Sequence, residues 1–206
     1  MKKKSRKFLT WCLVVCMLFT QLLFTNVAFA ATNRYSGADR YATALDIVKN
    51  GWTQSDAAII ARGDDEGLAD ALAAAPLAYA KGKAPIFLTE TNRLHDGIMD
   101  ELNTLGVKTV YIVGGPGAVS TSVEKALKAQ FGNDNVKRIY GADRVATSVA
   151  VAKELPAYKE AALVNGYAYA DALSISSIAA ASGTPILLTS DKDTLSADVS
   201  ALISDK

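Results

Sequence analysis

Cysteine and histidine are almost missing from this chain: two cysteines and one histidine occur in 206 residues, and both cysteines, Cys12 and Cys16, fall in the first thirty. Residues 1–30 read as a secretory signal peptide. Lys2, Lys3, Lys4, Arg6 and Lys7 make a basic start, Phe8 to Phe24 is mostly apolar, and Ala28-Phe29-Ala30 is a small-x-small cleavage site. An uncleaved anchor is the rival reading, since about twenty apolar residues span a bilayer, but Thr10, Thr20 and Gln21 interrupt the run. Cleavage leaves no cysteine, so no disulfide is available and stability rests on the core that about 175 residues can bury. With His95 as the only imidazole and no thiol, a transition-metal centre is not expected, and no cofactor is expected either.

Excess positive charge is absent as well. Lys+Arg number 22 against 21 Asp+Glu, and loss of the five basic leader residues leaves 17 against 21, a net charge of −4. A nucleic-acid binder would carry a basic face, so no nucleic acid is expected as partner, and none of the membrane kind once the leader is gone. A chain of this charge has no global steering toward a polyanion. Any anion must be held locally.

Catalytic constellations are equally scarce. His95 stands beside Asp96 with no serine in a strained elbow nearby, so it reads as a surface histidine rather than a triad member. Asp64, Asp65 and Glu66 form a run of acids expected simply to be solvated. No catalytic residue is expected.

What is present is a duplication. Gly37-Ala38-Asp39-Arg40-Tyr41-Ala42-Thr43 returns as Gly141-Ala142-Asp143-Arg144-Val145-Ala146-Thr147, an offset of 104. Asp70-Ala71-Leu72 is matched by Asp171-Ala172-Leu173 at an offset of 101, and Pro85-Ile86-Phe87-Leu88-Thr89 by Pro185-Ile186-Leu187-Leu188-Thr189 at 100. Motifs in the same order with slowly shrinking offsets mean tandem copies that differ in loop length. The expected organisation is a first repeat over 34–137 and a second over 138–206. The second is shorter, lacking a counterpart of Thr109 to Gly115 and the helix after it, which suggests either a truncated product or a unit that borrows a strand.

Within each copy the pattern is that of an α/β fold. Asp39 is placed to cap a helix from Arg40 that ends at Gly51, with Tyr41, Leu45 and Val48 on one face, matched by Val145, Val149 and Ala152. Ala57 to Ala61 and Ala161 to Val164 are short apolar runs suited to strands covered on both faces. Gly67 to Lys81 and Ala168 to Ser182 read as alanine-rich helices, with Leu68, Leu72 and Tyr79 filling the larger gaps and a break expected at Pro76. Strands at Pro85 to Thr89, Thr109 to Val113 and Val136 to Tyr140 alternate with helices at Ile98 to Leu105 and from about Ser120 to Phe131. Such alternation gives parallel βαβ units.

In parallel sheets ligands gather where the carboxyl ends of strands meet helix N-termini. Asp39-Arg40 and Asp143-Arg144, Asp70 and Asp171, and Thr89 and Thr189 fall there in both copies. The aspartates also suit helix capping, while Arg40 and Arg144 suit a carboxylate or phosphate held through two parallel hydrogen bonds. Val113 to Ser120 is a glycine-rich turn that approximates a dinucleotide fingerprint, but Pro116 lies between the glycines and Arg144 directly follows the acid, so a nucleotide-binding enzyme is only an alternative.

Taken together, Arg34 to Thr43, Asp70-Ala71-Leu72, Ala84 to Thr89 and Val110 to Gly115 resemble the cell wall-binding repeat type 2 family, found in surface-layer proteins and autolysins of Gram-positive bacteria. The resemblance covers Arg34 to Lys206. It implies tandem Rossmann-like modules, three of them around a pseudo-threefold axis in the usual case, that attach a secreted protein non-covalently to an anionic cell-wall polysaccharide. It also implies ligand-binding residues at Arg40, Asp70, Arg144 and Asp171, and partners that include further repeats or self-association. An amidase-type wall hydrolase without its catalytic domain is the alternative it leaves open.

Overall fold

The computed structural model describes residues 33–191 and 193–204, so the expected signal peptide at 1–30 lies outside the described residues. All elements below lie in the compact unit formed by residues 35–206.

The first copy builds a four-stranded, all-parallel sheet. Strands β1 (Ala57–Arg62), β2 (Ile86–Thr89), β3 (Thr109–Val113) and β4 (Val136–Ile139) stand in the order β2-β1-β3-β4. Register is set by pairs such as Ile59 with Ile86 on one side of β1 and Ile59 with Tyr111 on the other. Because side chains alternate across a strand, β1 feeds two cores. Ala58 and Ile60 pack with Val110 and Ile112 against α1 (Arg40–Gly51), α4 (Ile98–Thr104) and α5 (Thr121–Phe131). On the opposite face, Ala57 and Ile59 pack with Tyr111 and Val113 against α3 (Ala75–Ala80), and α2 (Leu68–Ala73) lies against β1. Phe87, Ile98, Leu102 and Leu127 are fully buried, each contributing roughly 1.5–3 kcal/mol of transfer free energy.

Two helices occupy the expected single one at 67–81. The break falls at Ala74, because Pro76 is the second residue of α3 and has no N–H to continue the ladder. With Ser177 at the equivalent place, α7 (Tyr169–Ser182) runs 14 residues without interruption. Tyr79 does not fill a core gap: it is 43% exposed.

The second copy supplies α6 (Arg144–Lys153), β5 (Ala162–Asn165), α7, β6 (Ile186–Thr189) and α8 (Ala197–Ser204). Among the described residues β5 pairs only with β6, in parallel. Leu163 is 48% exposed there, so β5 departs from the expected strand covered on both faces. Helix α6 joins the copies: Val145, Val149 and Ala152 enter a core with Leu187 and Leu188, while Val151 enters the core of Ile59 and Leu77. Ala69 and Leu72 of α2 belong to the core of the second copy, so the two are packed as one body.

This packing makes equal sequence positions unequal. Leu72 is 9% exposed and Leu77 0%, whereas their counterparts on α7, Leu173 and Ile178, are 65% and 64% exposed. The face that is sealed in the first copy stands bare in the second.

Candidate ligand-binding cleft between the two copies

The repeated Gly-Ala-Asp-Arg-x-Ala-Thr segment is a closed helix cap. The Asp39 carboxylate accepts from the Ala42 N–H at 2.8 Å, the Thr43 hydroxyl donates to the Asp39 carbonyl at 2.7 Å, and that hydroxyl accepts from the Gly37 N–H at 2.9 Å. In the second copy Asp143 accepts from Ala146 at 2.8 Å and Thr147 accepts from Gly141 at 3.1 Å. The glycines are needed by close approach: a Cβ on Gly37 would stand 2.5 Å from Ala42, and on Gly141 2.4 Å from Ala146. Capping of this kind satisfies N–H groups left free at a helix start. It also fixes the next residue, an arginine, at the first helical position.

Both arginines reach back to the loop after the neighbouring strand. Arg40 Nη1 donates to the Gly63 carbonyl at 3.1 Å and Arg144 Nη1 to the Gly166 carbonyl at 2.9 Å. From there the copies diverge. Arg40 is exposed and pairs with Asp65 at 2.6 Å, while Arg62 pairs with Asp64 at 2.6 Å and Glu66 at 3.0 Å. The acidic loop is therefore engaged by arginines rather than merely solvated. Arg144 has no carboxylate within ion-pair distance among the described residues. Its guanidinium lies over the Tyr167 ring, 4.4 Å from the centroid, and contacts the Glu66 carbonyl and the Tyr169 hydroxyl at 3.4 Å each. The Tyr169 hydroxyl in turn donates to the Asp65 carbonyl, tying the second copy to the first.

Asp70 and Asp171 are the third residues of α2 and α7, and neither caps a helix: the cap position before Leu68 is Gly67, that before Tyr169 is Ala168, and no side chain bonds at either start. Asp70 is 8% exposed, and its Oδ1 is buried without a hydrogen-bond partner. Burial pushes its carboxyl up to about 6, with Arg144 and then Arg62 acting in the opposite direction. Asp171 is exposed, because the described elements packed against α7, namely α2, α3, β5 and β6, leave its face of the helix open, whereas α6 and α7 both pack on α2. Thr89 and Thr189 are both buried; the former donates to the Arg93 carbonyl at 2.7 Å and the latter to the Val164 carbonyl at 3.4 Å, so both hydroxyls serve the fold.

Asp70, Tyr140, Asp143, Arg144 and Tyr167 come together with the Gly115-Pro116-Gly117 turn around an open cleft of about 570 Å³. Two residues of the fingerprint-like stretch are engaged in the fold. The Ser120 N–H donates to the Thr91 carbonyl at 2.8 Å, its hydroxyl caps α5, and the Asp143 carboxylate is occupied as a cap. A cleft of about 610 Å³ also opens beside Pro76, Leu155 and Tyr158. It adjoins the amino end of β5, away from the strand ends where ligands gather. His95 is not a surface residue: its side chain is 13% exposed, its ring stacks on Tyr41 at 5.4 Å, and Nδ1 lies 3.2 Å from Glu90 Oε1.

The family described as Cell wall binding domain 2 (CWB2) matches residues 34–124 and 138–205. The chain belongs to that family. It is 36% identical over 200 residues to the N-acetylmuramoyl-L-alanine amidase LytC of Bacillus subtilis (strain 168), an alignment that covers 97% of this chain and 38% of the amidase. It is 37% identical to the amidase enhancer of the same organism over 81% of this chain and 23% of that protein. The chain thus spans well under half the length of these relatives. Among solved structures, Cwp8 from Clostridium difficile superimposes with a TM-score of 0.73 at 35% identity, covering 82% of this chain and 29% of Cwp8. Cwp6 from the same organism gives 0.72 at 33%, covering 86% of this chain and 30% of Cwp6.

In this cell-wall-binding chain the four residues singled out from sequence are therefore split. Arg144 and Asp70, from different copies, meet at one cleft, while Arg40 and Asp171 stand outside it. Sequence reasoning missed Tyr140 and Tyr167. The available signal was a difference between copies: Ser36 stands where Tyr140 does, and the acidic loop of Asp64 to Glu66 stands in place of Tyr167.

Proposed function

We infer that the chain attaches non-covalently to an anionic polymer of a Gram-positive cell wall through the cleft where the two copies, 34–137 and 138–206, meet. Arg144 carries this reading: it is a half-buried guanidinium held in place by Gly166 and Tyr167, with no carboxylate in ion-pair contact among the described residues. Such a group takes a carboxylate or phosphate through parallel hydrogen bonds. Arg40 is the weaker candidate, because Asp65 already occupies its guanidinium. The function is anchoring rather than bond cleavage, and the protein is secreted and retained at the wall. Exposed Leu173, Ile178 and Asp171 fit a further repeat or a second copy covering α7, as the second copy covers α2 and α3.

Retention of the purified chain on isolated walls, with Arg144→Ala and Arg40→Ala in parallel, tests the reading. Arg144→Ala is expected to lower retention about tenfold or more, in line with the loss of a charged hydrogen bond, and Arg40→Ala to change it less than threefold. Equal losses, or none at Arg144 in a folded chain, overturn the assignment of the site.

A further inference from the structure

Beyond the cation, the cleft has features that an anion site alone does not need. Tyr140 is 51% exposed and its ring rests on Gly115, where a Cβ would stand 3.3 Å from the ring. Tyr167 is 63% exposed, with Arg144 over its ring. Two large aromatic rings left open beside one cleft are costly to solvate unless a ligand covers them, and their electron-rich faces favour partners that present C–H groups or positive edges. Asp70, nine-tenths buried, is among the residues lining the same cleft, and its Oδ1 is buried without a hydrogen-bond partner. A buried acceptor left unpaired is destabilising until a donor arrives. None of this is repeated around Arg40, where Ser36 and Asp65 replace the aromatic rings.

Charge density narrows the ligand further. Glu66, Asp70 and Asp143 line the cleft with Arg144 as its cation. A densely charged chain such as polyphosphate would meet three carboxylates for each guanidinium. A glycan with one acidic group per ring and hydroxyls to donate meets complementary groups at every position. The volume of about 570 Å³ lies within the roughly 300–1,000 Å³ of small-ligand clefts, which suits a few sugar rings rather than a long groove.

We propose that the cleft seats a sugar ring of a sparsely charged acidic glycan, with the ring face on Tyr140, its anionic substituent on Arg144 and a hydroxyl donating to Asp70. This deepens the wall-binding reading and rests on it. Tyr140 is a binding platform, Arg144 selects the charge, and Asp70 selects for hydroxyl donors.

The test measures retention of the full chain on isolated Bacillus subtilis walls for wild type, Tyr140→Ala, Tyr140→Phe and Arg144→Ala, with circular dichroism to confirm folding. Oligogalacturonate, which carries rings, and inorganic polyphosphate, which does not, are added as competitors at equal charge. Tyr140→Ala is expected to lower retention about tenfold and Tyr140→Phe less than twofold, because the ring face and not the hydroxyl makes the contact. Oligogalacturonate is expected to compete at least tenfold better than polyphosphate. Retention of Tyr140→Ala at the wild-type level, or equal competition by the two polymers, overturns the ring seat while leaving wall binding intact. A folded wild-type chain that is not retained overturns the wall-binding reading, and the ring seat with it.

Discussion

Replacing Leu77 and Ile178 by alanine, one at a time, probes the same position in the two copies. Leu77 is fully buried among Ile59, Val113 and Val151, and removing its three outer carbons leaves a cavity at the junction of α3, the sheet and α6. Leu→Ala at such sites costs 2–5 kcal/mol through lost transfer energy and the unfilled space, so about 3 kcal/mol is expected. Ile178 is 64% exposed. Its truncation removes little buried surface, and alanine is the better helix former by a few tenths of a kcal/mol, so a change within about 0.5 kcal/mol is expected. Urea unfolding followed by circular dichroism separates the two. With a slope of roughly 2 kcal/mol/M, the Leu77→Ala midpoint falls by about 1.5 M and the Ile178→Ala midpoint hardly moves. Losses of similar size refute the asymmetric packing of the copies. An Ile178→Ala loss that grows with protein concentration shows a second molecule on α7.

The caps, the cleft wall and the buried acid give further expectations. Asp39→Ala and Asp143→Ala each remove the side-chain bond to a free N–H and are expected to cost about 1 kcal/mol, read as urea midpoints. Gly114 has φ +113°, and an added Cβ would meet Ala118 Cβ and Asp70 Oδ2 at 2.9 Å each. Gly114→Ala is therefore expected to destabilise by about 1–3 kcal/mol, with a lower Tm. Asp70 is raised from 3.8 to about 6 on folding, by burial first. The folded chain holds that proton more tightly, so the group's contribution is complete below 3.8 and is lost as pH climbs through 6, a fall of about 3 kcal/mol by pH 7. Asp70→Asn is expected to abolish that fall in a pH series of urea midpoints, and parallel curves for the two chains would refute it.

How far the fold was legible depended on whether a signal was local. Short apolar runs bounded by glycine and polar loops placed β1, β2 and β3 within a residue of their observed ends, because a buried parallel strand needs no partner information to look apolar. Caps at Asp39 and Asp143 were legible for the same reason: the acceptor and the N–H lie three residues apart. Tyr79 and Leu163 were misjudged because their exposure is decided by which element packs over them, and periodicity carries no record of that. His95 was misjudged likewise, since its neighbours Tyr41 and Glu90 come from the start of α1 and from the loop after β2.

The candidate site shows the same limit more sharply. Reading the repeat for sameness singles out Arg40 with Arg144 and Asp70 with Asp171 as two equal pairs. In the folded chain the motif itself is consumed in capping, and it only launches an arginine toward the next loop. What the arginine can do there is set by residues the copies do not share. Asp65 neutralises Arg40, whereas Tyr167 supports Arg144 without neutralising it. The acid that faces Arg144 is Asp70 of the other copy, buried because α6 and α7 cover α2. A duplicated motif thus yields one complete cleft, because a cleft built from two copies needs both a donor of the arginine and a neighbour that supplies the acid. Asp171 has the sequence of such a neighbour but no arginine over it among the described residues, so completing a second cleft requires another repeat of this kind to dock on α7.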